Sequence, residues 1–329
     1  MKKLISSVVT LLLLASVSFA QSNESTVNQS GDENSATVGQ NGTSNSSIVD
    51  QDGDDHDASV TQNGAANDAI VDQNGSGGLA TTNQQGNDNT ATQYQLAVDA
   101  LLANASVTAL IEQVGNDNTA HQNQVSAAAA LAAADVDGTI YQSGNDNSAN
   151  QSQFAGSAFL AAAESEAVII QNGHGNSASQ TQEAGAAGLD FASADATIQQ
   201  IGNDNDAVQV QGVGGILGLQ NAYAYSFQDG DDNESYQYQD GEDLSSLITQ
   251  IGNWNEAENT QVGNGISSGI IQDGSDNLAE VLQGGDNLSS SVTQDGDSNR
   301  ARVIQNGADH ISTVNQIGSN NSANVSQSN

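Results

Sequence analysis

Hydrophobic and polar positions alternate along this chain in short bursts, each followed by the same small set of turn residues. In Asp57-Ala58-Ser59-Val60-Thr61-Gln62, the residues Ala58, Val60 and Gln62 fall on one side of an extended strand and Asp57, Ser59 and Thr61 on the other. The inward set is small, β-branched and amide; the outward set is polar. Between bursts stands Q-x-G-x-x-N, where Gly accepts positive φ without steric cost and Asn tolerates left-handed geometry. One strand plus one turn therefore occupies eleven residues, as from Gln294 to Gln305.

The frame recurs along the chain. Gln29, Gln40, Gln51, Gln62, Gln73, Gln84 and Gln95 lie eleven apart, and so do the glutamines from Gln228 to Gln327, including Gln294, Gln305 and Gln316. A fixed period of this kind marks a repeat architecture. One such strand cannot bury its face alone. Stacked copies about 4.8 Å apart can, because every backbone group then pairs with the coil above and below. A buried amide donates to its copy in one neighbouring coil and accepts from the other, each bond contributing roughly 0.5–1.5 kcal/mol.

Every second turn carries Asn: Asn45, Asn67, Asn89, Asn118, Asn147, Asn176, Asn205, Asn233, Asn255, Asn277, Asn299 and Asn321. The intervening turns are looser, with Asn34, His56, Gly78, Leu244, Ile266, Leu288 and His310 in the matching column. The coil is thus two arcs, 22 residues, with one strict and one variable edge. The expected fold is all-β: a two-sheet β-solenoid of cross-β strand-turn-strand coils. Its core ladders comprise the glutamines, the strict-edge asparagines and inward valines such as Val60, Val303 and Val314.

Five intervals in the middle, between about residues 95 and 228, are longer: four of 18 residues and a last of 17, all on the variable edge. Eleven residues before each closing Gln stands a leucine (Leu102, Leu131, Leu160, Leu189, Leu217), and Ile111, Ile140, Ile169 and Ile198 recur two residues before it. The expectation is that these extensions, about seven residues each, stack in register and widen the coil with a second apolar column of leucines. The paired strands carry Q-x-Q, as in Gln93/Gln95 and Gln151/Gln153. Five mobile alanine-rich loops are the alternative.

The repeat resembles the curlin repeat, S-x5-Q-x-G-x-x-N-x-A-x3-Q, of the curli amyloid subunits of Gram-negative bacteria, and the likeness runs over about residues 25–327. The resemblance implies a secreted subunit that polymerises into extracellular fibres of biofilm matrix and acts in adhesion. It also implies export through a dedicated outer-membrane pore and other curlin subunits as partners. The family's Gly-rich N-terminal secretion segment is not recognisable here.

Residues 1–20 read as a signal peptide: Lys2 and Lys3, an apolar run from Leu4 to Val17, then Ser18-Phe19-Ala20. The run is too short for a membrane span, and no other segment is apolar and long enough. The repeat solenoid is assigned to residues 21–329. With four residues before Ser25 and two after Gln327, neither end is expected to carry a cap, so about twelve coils, roughly 55–60 Å long, are bounded by bare strand edges that template a homopolymer.

Charge and composition exclude several classes. Two arginines remain against 40 acidic residues once the leader is removed, so nucleic acid and anionic lipid are poor partners. Cysteine and proline are absent, which suits a disulfide-free ladder of strands that all need their donors. No catalytic constellation, cofactor loop or metal-ligand spacing is present; His56, His121, His174 and His310 read as solvated turn or surface residues. The expectation is that the protein is not an enzyme. Acidic turns such as Asp88, Asp117, Asp146 and Asp204 read as a solvated face, with calcium- or salt-assisted assembly as the sharper alternative. Tyr223, Tyr225, Phe227, Tyr236 and Tyr238 form an aromatic cluster in sequence. A monomeric surface-binding solenoid, of adhesin or ice-binding type, is the rival reading, though the mixed outward rows lack a flat Thr array.

Overall fold

Strands alternate between two wholly parallel sheets in the computed structural model, which describes residues 22–100, 103–215 and 219–329. Sheet A holds 13 strands, from Glu24–Ser30 to Ser322–Ser328; sheet B holds 12, from Ser35–Thr43 to Ile311–Ile317. Each strand pairs with the strands two before and two after it, so the chain climbs half a coil per strand. This is the two-sheet β-solenoid that the eleven-residue frame predicts. Pairing is in register, Gln on Gln and Val on Val, as in Val27↔Val49 and Gln29↔Gln51 in sheet A and Val38↔Val60 in sheet B.

The inward rows form the core. Ala58, Val60, Ala69 and Val71 are fully buried near the amino-terminal edge, and Ile248, Val281, Val292 and Val303 toward the other. Outward neighbours such as Asp57 and Thr61 are exposed. The core is two small side chains thick, and amides share it with the aliphatics. Close packing of such a thin core relies on stacking identical shapes, so that each methyl meets its copy one strand away.

The turns depart from the sequence reading in one respect. Glycines of the frame do take positive φ, for example 118° at Gly144. A Cβ there would collide with the Gly173 carbonyl of the next coil, so close approach as well as φ demands Gly. The second left-handed residue, however, is the one before the Asn: Asp88, Asp117, Asp146 and Trp254 have φ of 56°, 56°, 60° and 60°. The Asn itself points inward. A side chain that must enter the ladder cannot also occupy the outward left-handed corner, and the strain falls on its neighbour.

Apart from a tight reversal at the outer corner, the described residues of the five long arcs are ordered strands, not loops. Sheet A strands lengthen to 11 residues, as in Ser148–Ala158, and sheet B strands to 13, as in Ala162–His174, against nine in Asp57–Ala65. They stack in register over their whole length. Ile111, Ile140, Ile169 and Ile198 form a fully buried column. The leucine column is not formed. Leu131, Leu160 and Leu189 stand 56%, 51% and 75% exposed at the outer corner, and Leu102 and Leu217 lie outside the described residues. The Ala130-Leu131 and Phe159-Leu160 pairs both take left-handed φ, the geometry of a tight reversal that turns side chains outward. The extra core consists instead of small residues: Ala105, Val107, Ala134, Val136, Ala163 and Ala192.

Candidate assembly interface

The ladders that bind one coil to the next are made of amides, most of which donate both forward and across the core. Gln51 Nε2 donates 2.8 Å forward to Gln73 Oε1 and 2.9 Å across the core to the Ser35 carbonyl. Gln29, Gln40, Gln62, Gln73, Gln84, Gln294 and Gln305 likewise donate forward to the next glutamine. In the wide coils a second ladder takes over the valine position: Gln93 stacks where Val71 stood, donates to Gln122 and reaches the Thr81 carbonyl opposite. A longer, polar side chain spans the wider gap and satisfies a backbone acceptor on the far side.

The strict-edge asparagines run the opposite way. Asn147 Nδ2 donates back to Asn118 Oδ1 at 3.0 Å and forward to the Gly173 carbonyl at 2.9 Å, while its own Oδ1 accepts from Asn176. The same pattern joins Asn45, Asn67, Asn89, Asn277, Asn299 and Asn321. The variable edge is mixed: Asn34, His56 and His310 are polar, whereas Leu244, Ile266 and Leu288 are buried apolar side chains.

At the two ends these ladders stop. Among the described residues no strand pairs with the outer edge of Glu24–Ser30 or Ser35–Thr43, nor with that of Ile311–Ile317 or Ser322–Ser328. Gln29 and Gln40 present Oε1 at the amino-terminal edge; Gln316 and Gln327 present Nε2 at the other, where each donates only to an in-coil carbonyl. One edge offers acceptors in the column where the other offers donors.

The sequence reading missed His56. It is buried rather than solvated: Nδ1 accepts from the Gly78 N–H at 3.1 Å, and Nε2 has no partner. It occupies an Asn position, accepting as an Asn oxygen does. His174 is exposed, and His310 contacts the Asn306 carbonyl. His121 lies edge-on to Tyr94, 5.6 Å between centroids, and desolvation lowers its pKa. The aromatic cluster is divided. Tyr223, Tyr225 and Phe227 lie on sheet B, and Tyr236 and Tyr238 on sheet A.

Charge gathers on the outside of sheet B. Asp135 stacks on Glu164, and Asp137 on Glu166 and then Asp195. Desolvation first, then neighbouring carboxylates, raises the pKa of Asp135 and Glu164; desolvation raises that of Asp195 against the lowering hydrogen bond from Ser193. Among the described residues no group of three or more His, Cys, Asp or Glu side chains is arranged to hold a metal ion, and no helix is long and apolar enough to cross a membrane. One ion pair joins Arg302 to Glu280 one coil earlier, 2.9 Å apart.

The family model of the curlin associated repeat matches residues 31–64, 267–296 and 296–328. Over these stretches the chain carries curlin repeats. The matched stretches lie on both sides of the wide coils, whose variable edge lacks the Q-x-G-x-x-N turn. No curated protein matches the chain. Curlin repeats on a solenoid of amide ladders point to a curli-type structural subunit.

Proposed function

We propose that this protein is a secreted fibre subunit, freed of residues 1–20, that stacks end to end into extracellular cross-β fibres used for adhesion in a biofilm matrix. The observation that carries the reading is the pair of edges left open among the described residues: each presents unpaired backbone groups, and the glutamine columns present acceptors at one edge and donors at the other. The bond that holds coil to coil inside the molecule is thereby available between molecules. Further partners on this reading are other curlin-repeat subunits and the outer-membrane pore that exports them; the chain performs no catalysis.

The test uses the chain from residue 21 onward. Incubated at high concentration, it forms sedimentable, thioflavin-positive fibres, whereas Asn315→Pro with Asn324→Pro, on the two carboxy-terminal edge strands, slows elongation strongly. A chain that stays monomeric without limit of time overturns the reading in favour of a monomeric surface-binding solenoid.

A further inference from the structure

The two ends of the solenoid differ by half a coil, and that difference sets how one copy meets the next. Sheet A has one strand more than sheet B, so Ser322–Ser328 stands half a coil beyond Ile311–Ile317. If a second copy placed its first strand, Glu24–Ser30, on Ser322–Ser328, sheet A would continue but sheet B would lack a strand. Ser35–Thr43 would then face Ile311–Ile317 across two spacings, about 9–10 Å, where parallel pairing needs about 4.8 Å. Placing Glu24–Ser30 on Ile311–Ile317 instead leaves no gap, and Ser35–Thr43 then lands on Ser322–Ser328. Strand directions agree, because a half-turn about the long axis interchanges the two sheets and reverses their strands together.

The side chains single out the same arrangement. Aligned on glutamine, Ser25-Thr26-Val27-Asn28-Gln29 is identical to Ser312-Thr313-Val314-Asn315-Gln316. Sheet B ends in a serine column, Ser246, Ser268, Ser290 and Ser312, with Ser312 Oγ donating to Ser290 Oγ at 3.2 Å. Sheet A begins with Ser25 and Ser47. Sheet A ends in an alanine column, Ala279, Ala301 and Ala323, and sheet B begins with Ala36, Ala58 and Ala80. Both columns run on unbroken only if the sheets exchange; without exchange, serine stacks on alanine.

We propose that successive copies in the fibre are related by a half-turn about its axis, sheet A of one continuing as sheet B of the next, through Ser25, Val27 and Gln29 on Ser312, Val314 and Gln316. The inference rests on end-to-end assembly as proposed above and adds its symmetry. Because the wide coils extend the variable edge, successive widened regions project from opposite sides of the fibre.

Cysteine pairs on outward positions test it, since the chain has no cysteine of its own. In fibres of Thr26→Cys/Thr313→Cys, a short bis-maleimide yields a ladder of covalent dimers, trimers and longer species; in fibres of Thr26→Cys/Asn324→Cys it yields monomer. Preferential linking of the second pair, equal linking of both, or fibres in which neither links overturns the half-turn. Electron microscopy of fibres of the unsubstituted chain gives an independent reading: bulges alternate between the two sides at one subunit length, roughly 55–60 Å, and bulges on one side only contradict it. Absence of fibres from the unsubstituted chain counts against the assembly reading itself.

Discussion

Gln142 donates to Gln171 at 2.8 Å across 29 residues of chain, the same bond that Gln51 makes to Gln73 across 22. The ladder is indifferent to the circumference of the coil. What it needs is an amide at the same height in every turn, with a carbonyl opposite to take the second proton.

Gln171→Leu is therefore expected to destabilise the solenoid well beyond the loss of one bond. Gln142 Nε2 loses its forward acceptor, and Gln200 Oε1 and the Ser148 carbonyl lose their donor. At about 1–3 kcal/mol for each of the three groups left unpaired, the total is roughly 3–9 kcal/mol. Urea unfolding of the soluble chain before assembly measures it.

Corner and core of the wide coils are expected to respond oppositely. Leu160 is half-exposed, and Leu160→Ser changes stability by no more than about 0.5 kcal/mol. Ile169 is fully buried in its column, and Ile169→Ala costs about 2–5 kcal/mol. The same unfolding curves separate the two.

Glycines divide the same way. Gly144→Ala drives a methyl into the Gly173 carbonyl at a φ of 118°, and is expected to prevent the coil from closing. Gly39→Ala meets nothing within 4 Å and stabilises by about 0.4–1 kcal/mol. Circular dichroism melting of both variants checks the contrast.

His56→Asn is expected to stabilise the first coils by about 1–3 kcal/mol, because it keeps an acceptor for the Gly78 N–H and removes a buried, unpartnered ring nitrogen. Hydrogen exchange at Gly78 reports it directly.

The sheet B carboxyls give a pH dependence of defined sign. Asp135, Glu164 and Asp195 bind protons more tightly folded than unfolded, so what they contribute to stability is fully present below the unfolded values, 3.8 for Asp and 4.5 for Glu. It is lost as pH rises through the raised folded values. The triple variant Asp135→Asn, Glu164→Gln, Asp195→Asn is expected to melt higher than the parent at pH 7, with the advantage vanishing as pH falls toward 3.5. His121, whose shift acts in the opposite sense, is common to both chains and cancels in the comparison. An advantage that persists or grows in acid contradicts the account.

Period, parity and inward columns were legible in the sequence because a stacked parallel sheet forces each residue onto its own copy, so the fold writes itself as repetition. Gln51, Val60 and Asn147 are where that logic puts them. Leu131, Leu160 and Leu189 misled because regular spacing alone does not distinguish a buried column from an exposed corner; the positive φ at Leu131 and Leu160 is invisible in a hydropathy pattern. The alanines and valines that fill the wide coils are too small to stand out beside leucine. His56 reads as polar, and only its place in an asparagine column hints at burial. The match between Ser25–Gln29 and Ser312–Gln316 was in plain view, but it acquires meaning only once the two stretches are seen at opposite edges of different sheets.

Fibre diffraction from aligned material tests the central claim most directly. If coil-on-coil stacking continues between molecules, the chain from residue 21 onward gives a meridional reflection near 4.8 Å and an equatorial one near 10 Å, with the strands across the fibre axis. Particles that pack side by side, with strand spacing not repeated along the axis of any fibre, contradict it.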